Sequence, residues 1–486
     1  MILELHERLK RKETTARALA ESYLSRIGER DGELGAYLTV LEKESLEAAD
    51  FTDARIARGE EIGLLAGIPG AIKDNMCLTG TRTTAGSKIL DSYIAPYDAT
   101  AVRKLREAGA IIVGKTNLDE FAMGSSTESS AYRPTKNPID TSRVPGGSSG
   151  GSAVAVAADM AVFALGSDTG GSIRQPASFC GVVGLKPTYG RVSRNGLIAM
   201  ASSLDQIGTF TTSVEDAAIV LSEIYGYDPL DVTTAESDSK RFEEYLSTDI
   251  RGLRIGIPKE YFADDLDARI RTVSEAAIDR FRSLGADIVD ISLPHSKYAL
   301  PTYYIIMPSE VSSNLARFDG IRFGIPVNDQ ESRSPEFGTL LETYLDTRSY
   351  GFGAEVKRRI MLGTYALSAG YYDEYYKKAQ SVRHLIRRDF AEAYKQVDVI
   401  FSPTAPEPAF RFGAKADDPI RMYLSDIYTV TANLAGVPAI SFPIGTVEED
   451  GKALPLGGQL MGGWFDEETM LRAAHAFERS LESDTK

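Results

Sequence analysis

The sequence predicts an α/β fold. Three observations carry that expectation. Short apolar runs of strand length alternate with segments whose apolar residues recur every three or four positions. Two of those helical segments end on a glycine just ahead of the next strand, at Gly109 and Gly285. A chain of 486 residues with 43% apolar and 25% charged positions also has the material for a large buried core. At roughly 150 residues per domain, the length suits about three domains or one large α/β unit.

In chain order, residues 3–27 carry a helical pattern. Asp98, Ala101, Val102, Leu105 and Ala108 outline a second helix, closed by Gly109, and Ile111, Ile112 and Val113 follow as a buried strand. From Pro145 to Gly190 glycine, serine and alanine dominate without repetition or high charge, which predicts a packed loop system, with a strand at 161–165 inside it. Ser213-Val214-Glu215-Asp216 resembles a capping box that opens a helix through Ile224. The polar stretch 228–250 marks a possible subdomain boundary. A strand at 253–257 comes next. Leu266, Ile270, Val273, Ala277, Phe281 and Leu284 line one helix face, Gly285 ends it, and residues 288–291 form another strand. Further strands are expected at 397–401 and 439–442, with helices at 355–366 and 371–394.

Composition narrows the function. Net charge is −15, from 54 Lys and Arg against 69 Asp and Glu, so the chain alone lacks the basic face expected of a protein that grips a phosphate backbone. Any nucleic acid it serves is expected to sit on a partner. Two cysteines, Cys77 and Cys180, cannot build a disulfide framework in a chain this long and fit a reducing compartment. The N-terminus has no apolar block typical of a signal peptide, and the longest apolar run, 153–165, is too short to span a bilayer and contains Asp159. A cytoplasmic protein without membrane contact is expected.

Two motifs match familiar patterns and fail on context. Gly109 to Thr116 fits the string of a phosphate loop, but its four intervening residues are themselves a strand, where such a loop needs flexible backbone. Gly147-Ser148-Ser149-Gly150-Gly151 fits the nucleophile elbow, yet none of the downstream histidines, His295, His384 and His475, has a motif-like setting. What remains is a concentration of hydroxyls on glycine-rich backbone, at 145–152 and again at 166–176. Glycines let successive N–H groups approach a developing oxyanion, and Thr169, Gly170 and Gly171 stand just ahead of Ser172. A serine nucleophile without histidine needs another base. Lys73 sits in an apolar, turn-rich run, and burial lowers a lysine from about 10.4 toward neutrality.

Gly70-Ala71-Ile72-Lys73-Asp74-Asn75, Gly146-Gly147-Ser148-Ser149-Gly150-Gly151-Ser152 and Asp168-Thr169-Gly170-Gly171-Ser172-Ile173-Arg174-Gln175-Pro176, in that order, resemble the amidase signature family. The likeness runs from the N-terminal helices to the segment at 434–443. It implies one domain over residues 1–486, a mixed central β-sheet covered by α-helices, with N-terminal helices at about 1–60 and a Gly/Ser-rich catalytic core at about 61–226. It also implies Ser172 as nucleophile, Ser148 as the bridging serine on a cis peptide bond and Lys73 as base, with Ser149 and Ser152 as supporting hydroxyls. Backbone N–H groups of Thr169, Gly170 and Gly171 would hold the oxyanion.

Within the family, the segments at 115–126, 315–320, 357–364 and 422–426 resemble the branch of A subunits of tRNA-dependent amidotransferases. That likeness implies a glutaminase that supplies ammonia for converting Glu-tRNA(Gln), or Asp-tRNA(Asn), to the amidated form. Glutamine carries a carboxylate and an ammonium, so its pocket needs a cation and an anion. The resemblance suggests Arg359 or Arg358 for the first and Asp426 for the second, with Tyr303 or Tyr304 nearby. It implies no cofactor on this chain. The partners it implies are the B and C subunits of the amidotransferase, the B subunit holding ATP, Mg and the mischarged tRNA and a small C subunit, linking the other two. A stand-alone amidase acting on other small amides is the alternative, and a catalytically silent scaffold is a third possibility that intact Lys73, Ser148 and Ser172 oppose.

Overall fold

The computed structural model describes residues 1–236, 240–263, 266–325 and 339–483. Among the described residues, eleven strands form one mixed sheet: β1 (Tyr37–Val40), β2 (Pro69–Lys73), β3 (Ile111–Thr116), β4 (Phe163–Asp168), β5 (Val183–Lys186), β6 (Gln206–Thr211), β7 (Arg254–Pro258), β8 (Asp287–Ile291), β9 (Val399–Pro403), β10 (Ala439–Glu449) and β11 (Lys452–Gly462). Their spatial order is β1-β3-β2-β4-β6-β5-β10-β11-β9-β7-β8.

Central parallel strands are covered on both faces and therefore read as continuous apolar runs rather than alternating ones. In β2, β3 and β4 every residue is buried, and each strand begins apolar and ends polar. β2 runs parallel to both neighbours, with Lys73 opposite Thr116 and Ile72 opposite Leu165. Sequence order thus delivers Lys73, Thr116, Ser167 and Asp168 to one edge of the sheet. Ligand sites in such sheets lie beyond the carboxyl ends of the strands. Phe163, fully buried, lies over Gly70, where a Cβ would come within 2.2 Å of its ring. Truncating such a phenylalanine to alanine typically costs about 3–5 kcal/mol.

A second group of helices stands over that edge. Helix Ala299–Asn314 is its centre and packs on Ala354–Leu367, Lys378–Ala393 and Val430–Ala435. Among the described residues no helix is long and apolar enough to cross a membrane.

Several expectations shift. The helical pattern at 3–27 is two helices, Ile2–Lys10 and Ala16–Leu34, because Lys12 turns left-handed at φ 57° and the Thr15 hydroxyl caps the second helix by accepting from Ala18 N–H at 3.0 Å. The helix expected at 371–394 starts with a π-helical turn, Asp373–Lys377, before Lys378–Ala393. The strand at 439–442 extends to Glu449 and returns as β11, a partner that its apolar pattern alone does not reveal. Gly109 and Gly285 do close their helices in the left-handed region, at φ 84° and 89°. The polar stretch at 228–250, of which 237–239 lie outside the described residues, links strands that all join one sheet. Gly114, Lys115 and Thr116 are strand residues, and buried Lys115 pairs with Asp74 at 2.9 Å, so the phosphate-loop string carries no loop.

Candidate active site

Lys73 ends β2 with its side chain sealed from solvent. Its Nζ lies 2.8 Å from Ser148 Oγ, 2.8 Å from Ser149 Oγ and 2.9 Å from Ser167 Oγ. Among the described residues no carboxylate reaches it. Burial pushes the amine down to about 7, against the pull of Asp119, Asp168 and Asp205. An amine in that range exchanges protons with a hydroxyl at neutral pH, which an ordinary lysine does not.

The loop that carries Ser148 is held from several sides. The Gly147–Ser148 peptide is cis. Gly147 N–H donates to Gln175 Oε1 at 2.9 Å, and Asp119 N–H donates to Ser148 carbonyl oxygen at 3.2 Å. A Cβ at position 147 would lie 2.1 Å from Asp119 Oδ2, so only glycine allows this approach. The Asp119 carboxylate accepts N–H bonds from Ser126, Thr127 and Ser129. The two expected supporting hydroxyls part company: Ser149 touches Lys73, whereas Ser152 lies 2.7 Å from Thr116 Oγ1 and donates to Leu165 carbonyl oxygen at 2.9 Å.

Beyond β4 the chain turns through 169–172 into helix Arg174–Cys180. Asp168 organises this turn. Its carboxylate accepts from Gly171 N–H at 2.9 Å, Ile173 N–H at 3.1 Å and Asn433 Nδ2 at 2.8 Å, and takes both Nε and Nη2 of Arg174 at 3.1 Å. Burial alone would raise that carboxyl, but the Arg174 guanidinium holds it at about 2. Gly171 N–H is therefore committed to Asp168, which corrects the expected set of oxyanion donors. Among the described residues, the N–H groups of Thr169, Gly170 and Ser172 make no hydrogen bond. Ser172 is 8% exposed, against none for Lys73 and Ser148, and its hydroxyl likewise makes no hydrogen bond. The lysine side of the expected relay is thus assembled, and the Ser172 side stands open.

The expected glutamine residues fall beside this turn. Tyr303 packs on Gly170, where a Cβ would lie 2.7 Å from its hydroxyl. Tyr304 donates to Asp426 Oδ2 at 3.3 Å, and Ser125 donates to the same carboxylate at 3.0 Å. Burial raises Asp426 to about 7. The two arginines differ in burial, though both pair with Glu355: the Arg359 side chain is 3% exposed, its Nε 2.8 Å from Glu355 Oε1 and its guanidinium 5.6 Å from the Tyr304 ring and 5.5 Å from that of Tyr423, while the Arg358 side chain is 42% exposed. Thr429 ties pocket to turn, its hydroxyl lying 2.6 Å from Gly170 carbonyl oxygen and 3.0 Å from that of Asp426. Sequence reasoning does not single out Ser125, Ser167, Asn75, Tyr423 or Thr429. Ser167, Asn75, Ser125 and Tyr423 lie within the quoted motifs and segments, which is the available signal; Thr429 has none. Among the described residues, no group of three His, Cys, Asp or Glu side chains is placed to hold a metal.

A low-pKa lysine on a serine, next to a second serine on a turn with free N–H groups, defines an amide hydrolase. A family profile described as Amidase matches residues 18–471, and the chain belongs to that family. The chain is 57% identical over 479 residues to the A subunit of the glutamyl-tRNA(Gln) amidotransferase of Carboxydothermus hydrogenoformans, covering 99% of this chain and 96% of that one. It is 57% identical over 473 residues to the same A subunit from Koribacter versatilis, covering 97% and 96%. Among solved structures, the A subunit of the Thermotoga maritima glutamyl-tRNA(Gln) amidotransferase superposes with a TM-score of 0.78 at 44% identity over 96% of this chain and 91% of that one. The native peptide amidase of Stenotrophomonas maltophilia reaches 0.81 at 32% identity over 99% and 96%. The backbone is common to both activities, so identity rather than shape separates them.

Proposed function

We propose that this chain is the glutaminase subunit of a tRNA-dependent amidotransferase of the cytoplasm. Uncharged Lys73 takes the proton of Ser148, and Ser148 takes that of Ser172 as its oxygen attacks the side-chain amide carbon of glutamine. Attack requires Ser172 Oγ to turn onto Ser148 Oγ, and hydrogen bonds of this kind are often loose before substrate binds. The tetrahedral oxyanion is received by N–H groups from among those of Thr169, Gly170 and Ser172, a role worth about 3–4 kcal/mol per donor. The relay then reverses and protonates the departing ammonia. Water releases glutamate from the acyl-serine.

Arg359 takes the α-carboxylate of glutamine, and Asp426, carried by Tyr304 and Ser125, takes its α-ammonium. Buried opposite charges at the two ends select a zwitterion over a simple amide. Released ammonia passes to the B subunit, which activates Glu-tRNA(Gln) or Asp-tRNA(Asn) with ATP and Mg and holds the tRNA; the C subunit links the pair. The acidic balance of this chain, −15, supports tRNA contact chiefly through a partner. The observation that carries the proposal is the sealed contact of Lys73 with Ser148, joined to 57% identity with two amidotransferase A subunits, against 32% with a peptide amidase.

The test is transamidation with ATP, glutamine and mischarged tRNA by the complete complex, wild type against Ser172→Ala. Glutamine-driven product is expected to vanish while free ammonium still supports it. Loss of both would give Ser172 a structural role. Hydrolysis of other amides faster than glutamine, with no gain from the B and C subunits, would support a stand-alone amidase instead.

A further inference from the structure

An uncharged lysine has two N–H bonds and one lone pair. Three hydroxyl oxygens surround Lys73 Nζ, at 2.8, 2.8 and 2.9 Å. The lone pair must face Ser148 for the relay to run, so the roles of the other two hydroxyls decide whether the base works.

Ser149 is settled by its own neighbours. Its O–H donates to Ser167 carbonyl oxygen at 3.1 Å, so its oxygen receives an N–H from Lys73. Ser167 is settled by Asn75, because among the described residues the Ser167 hydroxyl meets no other polar group besides Lys73. As placed, Asn75 Nδ2 donates to Ser167 Oγ at 2.9 Å. The Ser167 proton then has one acceptor left, the Lys73 lone pair, and Ser167 competes with Ser148. Turned by half a turn, the amide presents Oδ1 and takes the Ser167 proton. Ser167 Oγ then receives the second N–H of Lys73, and the lone pair is left for Ser148. Little holds the amide in the first sense: Asn75 is 2% exposed, and its Oδ1 is buried with no hydrogen-bond partner.

We propose that Asn75 is a positioning residue whose amide orientation, acting through Ser167, aims the Lys73 lone pair at Ser148 or away from it. The inference rests on the catalytic roles proposed above. Hydrolysis proceeds from the orientation with Oδ1 on Ser167, and the opposite orientation idles the base without moving the backbone.

The test compares kcat and KM for glutamine in the full-length chain, assembled with its partner subunits, for Asn75→Ala, Ser167→Ala and the double variant. Asn75→Ala is expected to lower kcat at least tenfold at unchanged KM, because Ser167 then has only Lys73 to donate to. Adding Ser167→Ala removes the competitor and should return kcat most of the way. A double variant as slow as Asn75→Ala, or slower, overturns the proposal. Asn75→Asp, an acceptor only, should keep kcat near wild type while its charge moves the acid limb of the rate profile to higher pH. An unmoved limb overturns the proposal too, and this variant carries the test should Asn75→Ala not fold. Wild type and Ser172→Ala run alongside. A Ser172→Ala chain that still hydrolyses glutamine defeats the catalytic roles themselves, whereas an inactive Ser172→Ala beside unaffected Asn75 variants defeats this inference alone.

Discussion

Lys73 Nζ stands 2.8 Å from Ser148 Oγ, with both residues sealed from solvent. Burial brings the Lys73 amine down to about 7 and the Asp426 carboxyl up to about 7. In the proposed mechanism glutamine hydrolysis needs the first uncharged and the second charged, and both conditions fail as pH falls. The logarithm of kcat/KM for glutamine should therefore rise with a slope approaching two below neutrality and level off above it. An amide without an α-ammonium needs only Lys73 and should show a slope of one. A slope of one for glutamine as well would take Asp426 out of substrate binding.

Arg359 and Arg358 are neighbours in sequence and both pair with Glu355, but only Arg359 is fully buried. Arg359 is buried against Tyr304 and Tyr423, so Arg359→Met should remove a charge-assisted contact to the glutamine carboxylate. Such contacts are worth about 1.5–3 kcal/mol, or about a 10- to 150-fold rise in KM. Arg358 is partly exposed and among the described residues touches neither tyrosine ring, and Arg358→Met should leave KM within about threefold. Steady-state kinetics on both variants decides the assignment, and equal effects would refute it.

The buried pair of Asp168 and Arg174 holds the Ser172 turn. Arg174→Met leaves Asp168 uncompensated, and breaking a buried pair from one side typically costs about 3–5 kcal/mol. A large drop in the urea midpoint is expected. The pH dependence has a fixed sign. Asp168 titrates at about 2 when folded, below the roughly 3.9 of an unfolded aspartate. Its contribution is therefore complete above the unfolded value and disappears as pH falls through the folded one. Midpoints measured from pH 5 to 2 should show this loss in wild type and not in the variant.

Two buried lysines predict a second stability slope. Lys73 and Lys186 are each pushed by burial down to about 7, against about 10.4 in an unfolded chain. Between those values the unfolded state binds more protons, so stability should climb with pH from about 7 to 10. Among the described residues, Lys186 Nζ donates to the carbonyl oxygens of Pro187 and Val437 and not to Ser148 or Ser172. Lys186→Met should flatten part of that slope and leave kcat intact. A slope unchanged in the variant would mean that Lys186 is already charged in the folded protein.

Much of the site was legible because its chemistry sits in short local strings. Lys73, Ser148 and Ser172 lie in three motifs, and burial of each strand's apolar beginning delivers its polar end to the same edge. Elements marked by local signals were legible as well: Gly109 and Gly285 stop helices, and Ser213 caps one by accepting from Asp216 N–H at 3.2 Å. β11 was not legible, since its meaning is its pairing with β10 and β9. Nor was the break at Lys12, where the capping hydroxyl of Thr15 competes with an otherwise continuous helical pattern.

By itself the sequence determined the α/β class, because periodicity does not depend on distant partners, and the amidase motifs, whose family resemblance implies the three residues proposed for the relay. Only the tertiary structure decided that Arg359 rather than Arg358 is buried against Tyr304 and Tyr423, that Gly171 N–H donates to Asp168, and that Ser167 joins the cradle of Lys73. Those outcomes depend on burial and on hydrogen bonds between groups far apart in the chain: Thr429 meets Gly170 across 259 positions, a contact no local pattern encodes.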